Sequence, residues 1–212
     1  FVNTVDMYTQ YGDLRVEKIV ADNGKPLQGV EFGIYLCSPG PGMQSNYTLV
    51  DTMITNRNGV AVYEHLALPG WGQYYAVKEL SAPEGYKISN TGYVRVDLVA
   101  DSMVTVDGNG DAEGNAFAND VIRGNMALKK VDISTGANLE GAVFTIYSDA
   151  ACTEVVGTMT TKRAGDADSK RVIEGKDGLI PGTYYVKETT APKGYLLPEN
   201  PKVYPVVVRP GV

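Results

Sequence analysis

Histidine and cysteine are nearly missing from this chain, with one and two residues in 212. His65 alone cannot build a His-rich metal site or a Ser–His–Asp triad, and a packing or solvent-facing role is expected for it. Cys37 and Cys152 are too few for a disulfide framework, so if the protein is covalently stapled, cysteine does not do it. Positive charge is also short: 19 Lys and Arg against 25 Asp and Glu give a net charge of −6. Phosphate backbones need a basic face, so a nucleic-acid partner is excluded. No apolar run reaches the ~18 residues of a membrane-spanning helix. No window sustains a helical 3.6-residue apolar period over three turns.

What is abundant points to strands. Fourteen tyrosines, with many valines and threonines, alternate in short runs such as LRVEK, YVRVDLV and VYPVVV, punctuated by 24 Gly and 11 Pro. One segment occurs twice: YYAVKELSAPEGY (74–86) returns as TYYVKETTAPKGY (183–195). Both copies read Y-x-x-x-E-x-x-A-P-x-G-Y, so Glu79 and Glu188 each sit in an apolar strand pattern that should face a core. A buried carboxylate is costly unless paired or protonated, and placing it twice in one frame implies a use for it. The Ala-Pro-x-Gly-Tyr that follows is a turn signal. The duplication extends to residues 14–35 against 128–147, and to NGVAVYEHLALPG (58–70) against DGLIPG (177–182). The expectation is an all-β chain of two tandem antiparallel β-sandwiches of about 100 residues each. They occupy 12–122 and 123–212, and residues 1–11 form the end of a preceding domain or a linker. The chain opens in mid-pattern at Phe1, without initiator methionine or signal peptide, which suggests an excerpt of a longer protein.

These motifs resemble the collagen-adhesin B-type (CnaB-like) domains of Gram-positive pilins and adhesins, and the resemblance covers essentially residues 12–212. It implies an inverse immunoglobulin-like sandwich with a self-formed isopeptide bond between a first-strand lysine and a last-strand asparagine or aspartate. The motif glutamate would catalyse the joining. In the first repeat Leu14, Val16 and Lys18 alternate, which turns Lys18 to the core face. Burial favours the neutral forms of amine and carboxyl groups, a matched pair for moving protons. Lys18 is then the nucleophile, Glu79 the catalytic group, and Asn119 on the last strand the acceptor. An ordinary Lys18–Glu79 salt bridge is the competing reading.

In the second repeat Met126, Leu128 and Lys130 alternate likewise. Lys129 points outward, so Lys130 is the nucleophile candidate, beside Glu188. No acceptor is evident. The step from Glu79 to Asn119, repeated from Glu188, runs beyond Val212, and Asn200 lies in a Pro-rich loop. The last strand of the second domain is therefore expected to be missing, disordered or supplied by something else. FVNT (1–4) resembles FAND (117–120). Asn3 thus either ends a preceding domain or reaches Lys130 of a neighbouring molecule in trans.

Other signals are weaker. Asp107, Asn109, Asp111 and Glu113 are spaced like calcium ligands, but the twelfth position is Ala118, so a hairpin turn is expected and no metal or cofactor. Trp71 is read as a loop tryptophan, and LPEN-Pro (197–201) is not read as a sortase signal. The resemblance implies a structural or adhesive surface protein, a pilin subunit or adhesin stalk, outside the cell on a pilus or cell wall. Its partners would be neighbouring pilin or surface-protein subunits, with a host extracellular-matrix or glycan ligand as an option. It would not be an enzyme with turnover, since the reactive set acts once on its own chain. The alternative is an accessory module of a secreted enzyme or carbohydrate-binding surface protein.

Overall fold

A computed structural model describes residues 9–40, 45–106, 108, 116–173 and 176–211. Among these every regular element longer than a turn is a strand, and none is a helix able to cross a membrane. The chain divides into two compact units, Phe1–Val121 and Ile122–Val212.

Unit 1 holds β1 (Tyr11–Val20), β2 (Glu31–Pro39), β3 (Ser45–Ile54), β4 (Val60–Ala67), β5 (Tyr74–Ser81), β6 (Tyr86–Lys87), β7 (Val94–Val96), β8 (Met103–Thr105) and β9 (Phe117–Val121). One sheet runs β4-β1-β9-β6, with β8 also beside β1, and the other runs β3-β2-β5-β7. Leu14, Val16 and Val20 of β1, Phe32 and Ile34 of β2, and Tyr75 and Val77 of β5 bury their side chains in one core between the two. The alternation read in β1 is real: every second residue from Gly12 to Val20 is buried. The expected antiparallel pairing holds except at β1, which pairs in parallel with both β8 and β9.

The repeated motifs have local physical causes. In Leu-x-Gly, Leu27 is buried and Gly29 takes a left-handed φ of 81°, a conformation open to glycine at little cost. This bend lets the Gly29 N–H reach the Thr55 carbonyl at 2.9 Å, while Val30 N donates to the Thr55 hydroxyl at 3.0 Å. Gly141, Ala142 and Thr161 repeat the arrangement in unit 2. In the Glu motif, the Tyr75 hydroxyl donates to the Ala67 carbonyl and that of Tyr184 to Ile180, anchoring each strand to the segment before it.

Unit 2 holds β10 (Ala127–Lys129), β11 (Val143–Tyr147), β12 (Val155–Thr160), β13 (Asp166–Asp168), β14 (Gly182–Thr190) and β15 (Val203–Val208). The larger sheet is β12-β11-β14-β15, and β10 pairs with β13 alone. Its core gathers Met126, Phe144, Ile146, Met159, Leu179, Val186 and Val208. Here the sequence match of 58–70 to 177–182 holds only at its end. Leu179 bridges Gly124 as Leu66 pairs with Gly12, but the partner of the Lys-bearing strand is β13, some residues earlier. Residues 170–173 and 176–178 lie off the ladder, which splits into two pieces what is one strand, β4, in unit 1.

Candidate functional site

The site of unit 1 is assembled from three strands. β1 turns Lys18 inward, β5 turns Glu79 inward opposite Phe32, and β9 lies in parallel beside β1 with Phe117 opposite Lys18 and Asn119 opposite Val20. Lys18, Glu79 and Asn119 are 1%, 3% and 0% exposed, so all three are cut off from water. They form a closed ring of hydrogen bonds. The Lys18 Nζ donates to Glu79 Oε2 at 2.8 Å and to Asn119 Oδ1 at 2.7 Å. Asn119 Nδ2 donates to Glu79 Oε1 at 2.5 Å. Burial pushes the Lys18 amine below the ordinary lysine value of 10.5, against the opposing pull of the hydrogen bond and charge of Glu79.

Three contributors were not legible in the sequence. The rings of Phe32 and Phe117 meet edge to face at 5.1 Å, and Lys18 Nζ lies 5.9 and 5.8 Å from their centres. They wall the amine in apolar and aromatic surface. The third is the Ser89 backbone N–H, which donates to Asn119 Oδ1 at 3.3 Å. Two donors thus converge on the side-chain carbonyl oxygen, where negative charge would develop if the amine attacked its carbon. Ser89 is an ordinary residue in an irregular segment, and only the fold brings its amide there.

Unit 2 repeats part of this. Lys130 Nζ donates to Glu188 Oε2 at 2.8 Å, but both side chains are partly open, at 29% and 13% exposure. Lys129 is exposed, as the alternation of β10 requires. The other carboxylate oxygen, Glu188 Oε1, is buried and has no hydrogen-bond partner among the described residues. Asn200 is exposed in a loop. Asn3 lies outside the described residues, as do Asp107, Asn109, Asp111 and Glu113. Trp71 is fully exposed. His65 sits in the left-handed region with its N–H donating to Asp13, a structural role in the edge of β4. Cys37 is buried and Cys152 half-buried, and both are free thiols.

The family model described as "SpaA: Prealbumin-like fold domain" matches twice, over residues 12–112 and 124–210. Among curated proteins none matches. The solved structure of the Bacillus anthracis TIE protein aligns with 95% of this chain at 22% identity and a TM-score of 0.61, which shows a shared fold. This chain spans about a third of that protein's length, 32%. The shaft pilin SpaA of Lactobacillus rhamnosus GG aligns over 96% of this chain and 95% of its own at 18% identity, with a TM-score of 0.36. GBS52, the minor pilin of Streptococcus agalactiae, aligns over 94% and 91% at 15% identity and 0.34. With most of its length matched by that one family model, the chain belongs to the SpaA prealbumin-like fold domain family, in two tandem copies.

Proposed function

We propose that this chain is a load-bearing segment of a Gram-positive pilin or adhesin, exposed on a pilus or cell wall, whose first unit locks itself with a Lys18–Asn119 isopeptide bond. The observation that carries the reading is the water-free ring of Lys18, Glu79 and Asn119 between the first and last strands of one unit.

The chemistry follows from the contacts. Glu79 takes a proton from the Lys18 ammonium through Oε2, which leaves a neutral amine held against the Asn119 amide. Its lone pair attacks Cγ, and the charge that builds on Oδ1 is met by the Ser89 N–H. Glu79 returns the proton to Nδ2 through Oε1. The Cγ–Nδ2 bond breaks and ammonia leaves, and Nζ gives its second proton to the freed Glu79 carboxylate, so that a neutral amide joins Nζ to Cγ. No oxidant, metal or cofactor enters the balance. Lys18 and Asn119 react once and are consumed, which suits a fastener and not a catalyst with turnover.

Such a bond shunts tension entering at β1 directly into β9, so the intervening strands carry none. In single-molecule pulling, unit 1 should lengthen only as its flanking linkers straighten, while a Glu79→Ala chain should unfold unit 1 to its full contour length. Full extension of the unaltered unit 1 would overturn the reading. Neighbouring subunits of the same fibre are the proposed partners.

A further inference from the structure

We propose that the Ser89 side chain is a positioning group for the joining step of unit 1: it locks β9 in register and thereby aims the Ser89 N–H at the acceptor oxygen. Strand β9 is short. It pairs with β1 over Phe117–Asn119 and with β6 at Asp120 and Val121. Side chains alternate with a period of two, so a slip of β9 by two residues would keep each one on its own face. Such a slip puts Phe117 or Val121 where Asn119 stands, opposite Val20, and neither side chain has a carbonyl for Lys18 to attack. Register therefore decides whether unit 1 can react at all.

Two contacts oppose the slip, one on each face of the strand. Inside, Phe117 packs edge to face on Phe32. Outside, the Ser89 hydroxyl sits on Asp120, donating to Oδ2 and accepting from the Asp120 N–H, both at 3.2 Å. Ala118 and Ile122, which a slip would bring to that place, have no side-chain acceptor. The chain beyond Ser89 is held as well, because Asn90 Oδ1 accepts from the Gly92 N–H at 2.9 Å and closes the turn. With its hydroxyl fixed on Asp120, Ser89 has its own N–H 3.3 Å from Asn119 Oδ1, the oxygen on which charge builds. One residue thus reads two adjacent positions of β9: its side chain fixes the register and its main chain meets the acceptor. Ser89 and Asp120 are both exposed, so their contact contributes little to stability. Its effect is on alignment, and therefore on rate.

This inference rests on the joining reaction proposed for unit 1, and its test separates the two. The whole chain is made by cell-free translation, samples are quenched in denaturant at intervals, and intact mass follows the loss of ammonia. Ser89→Ala should slow that loss by about 10- to 100-fold, the range that a misplaced group costs. Asp120→Ala should slow it too, and Ser89→Thr, which keeps the hydroxyl, should restore the rate of the unaltered chain. A purely structural role is read separately, in a Glu79→Gln background where no bond forms. There Ser89→Ala should move the melting temperature of unit 1 by no more than about 2–4 °C. Ammonia lost from Ser89→Ala at the unaltered rate refutes the inference, and so does a slowing matched by a large fall in that melting temperature. An unaltered chain that never loses ammonia refutes the joining reaction itself.

Discussion

Replacing Asn119 with alanine is the cleanest perturbation of the proposed cross-link. It removes the acceptor but keeps the Lys18–Glu79 pair at 2.8 Å, so no buried charge is stranded. The main loss is the closure of a loop between residues 101 positions apart. By the chain-entropy relation for disulfides, applied to an amide link, closing a loop of about 100 residues is worth about 4.7 kcal/mol. In a domain of this size each kcal/mol moves the midpoint by about 4–8 °C, so unit 1 should melt about 20 °C lower or more. The assay is calorimetry with intact mass on the same samples. The unaltered chain should be lighter than its sequence by one ammonia, and Asn119→Ala should carry its full mass. The transition of unit 2 should stay in place. An unaltered chain with no mass deficit would refute the reasoning, whatever the melting curves show.

Three further outcomes follow from other contacts. Glu79→Gln should block the bond and remove both influences that raise the Lys18 pKa, leaving desolvation unopposed. The folded state then binds fewer protons than the unfolded one, so the stability of unit 1 should rise with pH up to the ordinary lysine value of 10.5, read by urea unfolding across the alkaline range. A flat profile would show that Lys18 is solvated. Gly59→Ala should destabilise unit 1 by about 1–3 kcal/mol in urea melts, because a left-handed φ of 70° meets a Cβ placed 2.3 Å from the Lys18 carbonyl oxygen. Gly24→Ala, also left-handed but with open space around it, should cost less, and equal costs would remove the steric argument. Thr55→Val should cost about 1–3 kcal/mol by orphaning the Val30 N–H and Leu27 carbonyl, and Thr161→Val should do the same in unit 2. Hydrogen exchange at Val30 and Ala142 reads both.

Much of this was legible in the sequence because it was written as period and repetition. The two-residue period of Leu14, Val16 and Lys18 turns a lysine inward, and the duplicated Tyr-x-x-x-Glu frame marks a carboxylate on the facing sheet. Asn119 needed the resemblance to be picked out, since an asparagine in a short strand has no periodic signature. Ser89 and the aromatic walls were illegible for another reason: an amide N–H is common to nearly every residue, and Phe32 is separated from Phe117 by most of a unit. The split partner strand of unit 2 was hidden too. The residues inserted after β13 shift the chain out of register with its own first copy, and only the Pro-Gly pairs at 69–70 and 181–182 keep the match visible.

The parallel seating of β9 against β1 also sets how unit 1 would respond to proteases. With Nζ of Lys18 joined to Asn119, nearly all the backbone of the unit belongs to one covalent ring. A single cut anywhere between those residues opens the ring without releasing a fragment, and the pieces would still migrate together after denaturation. Only two cuts could free a peptide. A surface protein built this way tolerates a first nick in its exposed turns, and its damage would show as a branched chain, not a shorter one.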